Sequence, residues 1–151
     1  MAEFSTSVTV DGPIEKVFNF LIRPANAVKF SPPDLGIVLI DAPEVLQAGS
    51  RIEFKIQTWG QVTNLIHEIM TFIEPTQYVE RQIKGPFKAW LHTHLLETNA
   101  AGQVVVTDQI EFEPPGGLIG LLVTKKKIIE HLEDGFFYRH DHLRKLLDAE
   151  V

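Results

Sequence analysis

The chain has 151 residues, of which 44% are hydrophobic and 23% are charged, as is typical of a globular protein with a sizeable core. Its formal net charge of -6 at pH 7 argues against nucleic acid or an anionic membrane surface as the main partner. Because the chain has no cysteine, disulfide bonds, thiolate metal sites and cysteine nucleophiles are excluded.

No targeting or membrane-spanning segment is predicted. The first ten residues lack the charged and apolar regions of a signal peptide, and no apolar run is long enough to span a bilayer. We therefore expect a cytoplasmic protein without integral membrane association. No repeat, low-complexity segment or linker divides the sequence, so residues 1–151 are expected to form a single domain.

The first 30 residues predict one strand and two helices. Residues Phe4 to Val10 alternate between apolar and polar side chains, as in a strand. A helix then begins around Pro13, which suits the first helical position, and ends before Pro24. Its apolar stripe consists of Ile14, Val17, Phe18 and Leu21. A shorter helical segment is predicted from Ala25 to Phe30.

The middle of the chain predicts six strands joined by short loops, which pair antiparallel. They cover Ile37 to Ile40, Arg51 to Thr58, Val62 to Ile73, Gln77 to Lys84, Lys88 to Thr98 and Gln103 to Glu113. Trp59-Gly60 is predicted to be a turn, and Gly85-Pro86 and Asn99 to Gly102 are predicted loops.

Beyond Pro114 to Gly117 the pattern predicts a long amphipathic helix, with Gly116, Gly117 and Gly120 as a hinge before it. Apolar residues recur there at helical spacing at Ile129, Leu132, Phe136, Leu143 and Leu147. A helix of roughly 25 residues is ~38 Å long and can lie across the whole sheet. Because sheets twist and curl, such a helix contacts the sheet unevenly, and a cavity between them is expected. Lys125, Lys126 and Lys127 are interpreted as a solvated helix face.

The segment from Gln82 to His94 carries the most distinctive pattern. Trp90, His92 and His94 alternate, so their side chains point to one side of the sheet. The Gly85-Pro86 loop would bring Gln82 opposite Trp90 and Glu80 opposite His92. In the next strand Asp108 lies opposite His92 or, after a slip of two residues, opposite His94. Either register predicts a row of carboxylate, imidazole and carboxylate across three strands.

Which face is buried is open to two interpretations. The other face of the same strand is the more apolar one (Phe87, Ala89, Leu91, Thr93, Leu95), which favours histidines that face water. Against this, Asp108 shares its face with apolar residues at 104, 106, 110 and 112, and Trp90 is unfavourable in water. We favour the interpretation in which His92 and His94 face the interior.

Inward-facing histidines have three candidate roles. A buried imidazole that is hydrogen-bonded to a carboxylate most often has a structural role. His92 or His94, paired with Asp108, could also act as an acid/base group. Metal binding, with Glu80 or Asp108 as a third ligand, ranks last, because His-x-His on a strand is frequent by chance. We expect no metal and no cofactor.

Four further features bear on the function. His67-Glu68 begins like a zinc-peptidase helix motif, but Thr71 stands where the second histidine belongs, so this motif is rejected. The segment from His140 to His142 is interpreted as a solvated helix end. Arg139, beside the apolar stripe, needs a carboxylate partner or anchors a polar ligand head group, and a structural ion pair is favoured. Gly135 indicates close helix–sheet packing or room for a ligand.

Several segments resemble the START/Bet v 1-like (SRPBCC) superfamily, above all its bacterial polyketide cyclase/dehydrase-like, ligand-binding members. They are Pro-x-x-x-Val-Phe at Pro13 to Phe18, Gly-Pro-Phe-x-x-Trp-x-His-x-His at Gly85 to His94, Thr107-Asp108, and Phe137-Tyr138-Arg139. The resemblance covers essentially the whole chain. It implies an α+β helix-grip fold, in which a curled antiparallel sheet of about seven strands, two short helices and a long C-terminal helix enclose a hydrophobic ligand cavity. It does not imply a reaction.

The sequence therefore predicts a binder of a small hydrophobic, lipid- or polyketide-like molecule. Two alternatives stay open: a cyclase/dehydratase-like enzyme that uses a cavity histidine, and a regulatory module that binds another protein. The residues expected to contact the ligand are Glu80, Gln82, Trp90, His92, His94, Asp108, Phe136 and Arg139.

Overall fold

A computed structural model describes residues 1–58 and 60–149. Within them, seven strands form one sheet in the order β1-β7-β6-β5-β4-β3-β2. The strands are β1 (Ala2–Val10), β2 (Val38–Asp41), β3 (Arg51–Thr58), β4 (Gln61–Ile73), β5 (Gln77–Lys84), β6 (Ala89–Thr98) and β7 (Val104–Glu113). The turn predicted at Trp59-Gly60 lies partly outside the described residues, since Trp59 is not among them.

All neighbouring strands pair antiparallel. From β2 to β7 each strand pairs with the next one along the chain, as short loops require. The first strand departs from chain order, because β1 pairs with β7 over its full length, from Ala2 opposite Phe112 to Val10 opposite Val104. The sheet is therefore completed at one edge by the first residues of the chain.

The described residues form four α-helices: α1 (Ile14–Leu21), α2 (Pro24–Lys29), α3 (Gly117–Leu122) and α4 (Lys125–Ala149). The stripe predicted on α1 is largely buried, with Val17, Phe18 and Leu21 in the core. Pro24 both ends the path of α1 and begins α2, where its missing N–H removes no hydrogen bond. No helix in this part of the chain is both long and apolar enough to cross a bilayer.

The predicted single helix after Gly117 is two helices, so this expectation was wrong in part. Thr124 separates them, because its carbonyl accepts from Ile128 N at 3.0 Å and its hydroxyl accepts from Lys127 N at 3.3 Å. Such hydroxyl caps begin helices. The glycines expected to form a hinge contribute to α3 instead, with Gly117 and Gly120 inside the helix. The 25 residues of α4 match the predicted length, and Lys125, Lys126 and Lys127 are exposed, as predicted.

Two groups of buried side chains attach α4 to the sheet. Near its beginning, Ile128 and Phe136 pack with Ala2, Ile110 and Phe112. Near its end, a second group joins α4 to α1 and to the strands and includes Val10, Phe18, Val104, Leu143 and Leu147. The helix is thus held at both ends, and the wall of the sheet between these attachments carries the candidate site.

Candidate functional site

A pocket of about 280 Å³ lies between the sheet and α4. Much of its wall is apolar, with contributions from Leu21, Phe30, Ile52, Leu65, Ile110 and Leu132. All eight side chains predicted to contact a ligand also line it: Glu80, Gln82, Trp90, His92, His94, Asp108, Phe136 and Arg139. Residues from three strands and one helix therefore meet around a single space.

The strand register brings the carboxylates and imidazoles together. Glu80 lies opposite His92, as predicted, and Asp108 lies opposite His94, the second of the two predicted registers. The Asn99 side chain closes the β6–β7 turn by accepting from Ala101 N and Gln103 N at 3.0 and 2.9 Å. Because of this tight turn, pairing continues to Thr98 opposite Val104.

The inward facing of the imidazoles is confirmed. His92, His94 and Asp108 are 7%, 6% and 6% exposed, although aspartate is almost never fully buried unless it is paired. The opposite face of β6 is half-buried throughout, from Ala89 to Leu95. The apolar character of that face therefore does not mark the deeper side of the sheet.

Five side chains form what we call the His–carboxylate cluster: His67, Glu80, His92, His94 and Asp108. Asp108 Oδ1 accepts from His92 Nε2 at 2.7 Å and lies 3.2 Å from His94 Nδ1. Glu80 Oε1 accepts from His94 Nε2 at 2.8 Å and lies 3.5 Å from His92 Nδ1, which is too long for a strong hydrogen bond. The rings of His92 and His94 stack with their centroids 3.8 Å apart.

His67 belongs to this cluster, although it was not among the residues predicted to line the site. Glu80 Oε2 accepts from His67 Nδ1 at 3.1 Å, and His67 is 7% exposed. The segment is a strand, so the rejection of a zinc-peptidase helix was right. The available signal was the alternation of Leu65, His67 and Ile69, which places His67 on the buried face of β4.

The cluster strongly shifts the ionisation of its members. Burial acts to raise the pKa of Glu80 and of Asp108, but hydrogen bonds from the imidazoles outweigh it and hold both pKa values well below their ordinary range. Burial acts to lower the pKa of His94, yet Asp108 and Glu80 raise it to about 9. Burial and the charge of His94 lower the pKa of His92. At neutral pH the cluster thus holds two carboxylates, a cationic His94 and a neutral His92.

The Gln82 amide fixes the β5–β6 loop, because both of its polar atoms form hydrogen bonds with the loop backbone. Its Nε2 donates to Phe87 O at 2.7 Å, and its Oε1 accepts from Phe87 N at 3.3 Å. Trp90 is half-buried against Phe87, with ring centroids 4.8 Å apart. Its Nε1 is buried and has no hydrogen-bond partner in the part of the chain that the structure describes.

The structural ion pair favoured for Arg139 was wrong. Its Nη1 donates to Ser31 Oγ at 2.9 Å, and its guanidinium lies 4.8 and 5.3 Å from the ring centroids of Phe30 and Phe136. No carboxylate pairs with Arg139 among residues 1–58 and 60–149. The reason is positional, since Arg139 faces α2 and the segment after it, where the side chains in contact are aromatic or hydroxylic.

The interpretation of His140 to His142 as a solvated helix end fails for His140. This residue lies four positions after Phe136 and three before Leu143, so it shares their buried side of α4. It lines the pocket, and its Nε2 is buried without a partner among the described residues. Burial lowers the pKa of His140. Asp141 is exposed and pairs with Lys145 at 2.9 Å.

No protein-family model matches the sequence, and no curated protein matches it as a relative. Solved structures do match. A protein from Thermus thermophilus is 15% identical with a TM-score of 0.76, covering 99% of both chains. The allergen Ara h 8.0201 is 13% identical with a TM-score of 0.67 over 98% of both chains. Major latex-like protein 151 from Panax ginseng is 17% identical with a TM-score of 0.65, covering 93% of this chain and 96% of the other.

The chain has the Bet v 1-like helix-grip fold. The fold expected from the resemblance to the START/Bet v 1-like superfamily is thereby confirmed. At these identities the likeness shows the fold alone, so the function has to be argued from the site.

Within this helix-grip fold, the cluster offers few free nitrogen atoms. His94 directs both nitrogens at carboxylates, and His92 uses Nε2 for Asp108. Ligand atoms of Glu80, His92 and His94 lie within 4.8 Å of one another, close enough to hold one metal ion. The arrangement is therefore better suited to orienting a bound group than to exchanging protons with it.

Proposed function

We propose that this protein binds a small hydrophobic molecule with a polar end in the pocket between the sheet and α4. The observation that carries the proposal is the pocket itself, whose volume of about 280 Å³ lies just below the ~300–1,000 Å³ typical of ligand sites. Its wall combines apolar side chains with a few convergent polar groups, which is the usual composition of such sites.

Three polar groups on the pocket wall support a ligand with a polar end. Arg139 has one Nη hydrogen-bonded to Ser31 and lacks a carboxylate partner among the described residues. Trp90 Nε1 and His140 Nε2 are buried without a partner in the same part of the chain. Buried polar atoms are normally satisfied, so a ligand that accepts from Arg139 or Trp90 would remove an unfavourable state of the unliganded protein. Phe30 and Phe136 hold the guanidinium in place for this role.

The fold supports the same class of ligand. Its resemblance to the START/Bet v 1-like superfamily implies a hydrophobic ligand cavity beneath the long helix. We accordingly place the apolar body of the ligand against the sheet and Phe136, and its polar end toward Arg139.

A cyclase/dehydratase-like enzyme is the second candidate. It is favoured by the 2.7 Å hydrogen bond between Asp108 and the neutral imidazole of His92, an arrangement that general bases use. Under this alternative, His92→Gln abolishes turnover of a polyketide-like substrate and leaves its affinity nearly unchanged. If the parent protein and His92→Gln turn over the substrate at the same rate, the enzyme alternative is rejected.

Native mass spectrometry of the protein purified from its host, together with thermal melts, tests the binder. We expect a co-purifying small molecule, and a melting temperature that rises with decanoate or 1-decanol, since a ligand that binds only the native state stabilises it. A protein without adduct, whose melting temperature ignores a broad panel of lipids and aromatic polyketides, would overturn the proposal.

The exposed Arg144 provides a matched control for Arg139 on the same helix. Arg139→Met should reduce the thermal shift given by decanoate and spare the shift given by 1-decanol, because only the carboxylate needs the guanidinium. Arg144→Met should leave the thermal shifts given by decanoate and by 1-decanol unchanged. If Arg139→Met loses the thermal shift equally with decanoate and 1-decanol, Arg139 supports the pocket wall and does not bind the polar end of the ligand.

A further inference from the structure

We propose that Glu80, His92 and His94 bind one divalent transition-metal ion on the wall of the pocket, with Asp108 and His67 orienting the three ligands. This inference does not rest on the identity of the hydrophobic molecule. It departs from the expectation of no metal, because the strand register and the contact between His67 and Glu80 emerge only from the structure.

The positions of the donor atoms carry the first step. One ligand atom from each of the three residues lies within 4.8 Å of the other two. Glu80 Oε1 is 2.8 Å from His94 Nε2 and 3.5 Å from His92 Nδ1. An ion bound at the usual ~2.0–2.2 Å from imidazole nitrogen and carboxylate oxygen separates neighbouring ligand atoms by about 3.0–3.5 Å. An ion that replaces the His94–Glu80 hydrogen bond would draw these atoms to this separation, and the His92 and His94 rings, which stack with their planes 22° apart, would turn so that a lone pair of each points at the ion.

The orientation of the imidazoles is an independent second observation. A histidine that binds a metal almost always donates its other ring N–H to a carboxylate, carbonyl or water. His92 directs Nε2 at Asp108 Oδ1 at 2.7 Å, and His94 directs Nδ1 at the same oxygen at 3.2 Å. A single buried carboxylate thus orients both rings, which leaves His92 Nδ1 and His94 Nε2 facing Glu80.

The carboxylate ligand is oriented in the same way. Glu80 uses Oε2 to accept from His67 Nδ1 at 3.1 Å, so that Oε1 remains on the side of His92 and His94. His67 is itself buried against Phe54, with ring centroids 5.0 Å apart. Every proposed ligand therefore has a partner that fixes its direction, which is how metal sites in proteins are usually built.

Charge and ligand chemistry indicate the class of ion. A divalent cation balances Glu80 and Asp108, two carboxylates whose side chains are 16% and 8% exposed, so neither negative charge is left unpaired in the interior. Two imidazoles and one carboxylate suit ions such as Zn²⁺, Co²⁺ or Fe²⁺, whereas Mg²⁺ and Ca²⁺ prefer oxygen ligands. Three protein ligands also leave coordination positions open toward the pocket.

Metal titration of the chelator-treated full chain tests the proposal. By isothermal titration calorimetry, Zn²⁺ and Co²⁺ should each bind at one ion per chain, and the Co²⁺ protein should show the visible absorption of nitrogen-coordinated cobalt. Zn²⁺ should also raise the melting temperature. Failure of both ions to bind at 1:1 with a Kd below ~100 µM, about 5.5 kcal/mol of binding free energy, would overturn the proposal even without any variant.

Variants separate ligands from orienting residues. Glu80→Gln and His94→Gln should each weaken Zn²⁺ binding at least ~100-fold, whereas Asp108→Asn should weaken it ~10- to 100-fold and retain the 1:1 ratio. His142 lies outside the cluster, where its Nδ1 donates to Tyr138 O. His142→Gln should therefore bind Zn²⁺ with the affinity of the parent protein. Circular dichroism verifies folding of each variant. Zn²⁺ affinity that is unchanged in folded Glu80→Gln and His94→Gln would assign the ion to another site and reject this one.

Discussion

His94 contacts both carboxylates of the His–carboxylate cluster and two neighbouring rings. It lies between Glu80 and Asp108, and its ring stacks on Tyr78 and His92 with centroids 4.0 and 3.8 Å away. Burial acts to lower the pKa of His94, but the two carboxylates outweigh burial and raise it to about 9. In the metal-free protein this imidazole therefore carries a proton at neutral pH and balances part of the buried negative charge.

The stability of the chelator-treated protein should fall as the pH rises from about 6.5 to about 9. A group whose folded pKa lies above its unfolded value binds more protons in the native state, so its contribution is complete below the unfolded pKa and is lost as the pH rises through the folded one. Urea unfolding across this range measures the slope, which for one proton cannot exceed about 1.4 kcal/mol per pH unit. His94→Gln should flatten it. An equal slope in parent and variant would contradict this account.

The sequence predicted on which face of the sheet most members of the cluster lie. It did not predict which of them contact one another. Alternation placed Trp90, His92 and His94 on one side, and the apolar neighbours of Asp108 placed it on the same side. Which imidazole Asp108 opposes depended on a turn closed by the Asn99 side chain. His67 was missed because its partner, Glu80, lies on another strand in diagonal contact, and such contacts require the register of both strands.

At the scale of elements, the β5–β6 connection shows how a loop is fixed to the pocket wall. The amide of Gln82 forms two hydrogen bonds with the backbone of Phe87, and the Phe87 ring packs on Trp90. Gly85 lies against this amide, and a Cβ there would overlap with Gln82 Oε1. A larger residue at position 85 would therefore displace the Gln82 amide, a consequence that the Gly-Pro pair did not reveal.

Gly85→Ala should lower the free energy of unfolding by about 1–3 kcal/mol, because the added methyl displaces the Gln82 amide and breaks its two hydrogen bonds with the Phe87 backbone. Gln82→Ala removes the same hydrogen bonds. The double variant should therefore be no less stable than Gln82→Ala alone, a coupling that a double-mutant cycle measures by urea unfolding. Lys84→Ala, at an exposed position, serves as the control. Its free energy of unfolding should stay within ~0.5 kcal/mol of that of the parent. Strictly additive losses would show that Gly85 does not act through Gln82.

For the whole molecule, the α+β architecture was predictable because local patterns specify most of it. Consecutive strands joined by short loops pair with each other, as β3 to β7 do, and a 25-residue amphipathic helix must cover a sheet. The place of β1 was not readable locally, since Ser7 meets Thr107 a hundred positions away. The size of the pocket was not readable either, because it depends on how the groups around Phe136 and Leu143 hold α4 above the sheet.

Substitutions at Gly135 test whether that space is open. The nearest side-chain atom to a Cβ at this position is Pro32 Cγ at 4.0 Å, and Gly135 lines the pocket. Alanine and leucine both remove the ~1 kcal/mol penalty of glycine within a helix, but leucine adds a branched chain that occupies the pocket. Without ligand, both variants should melt at or above the parent temperature. Decanoate should then raise the melting temperature of Gly135→Ala as it does that of the parent, and should leave Gly135→Leu unchanged. If Gly135→Leu melts well below Gly135→Ala without ligand, the interior is already filled. If decanoate raises the melting temperature of both variants equally, the ligand binds elsewhere.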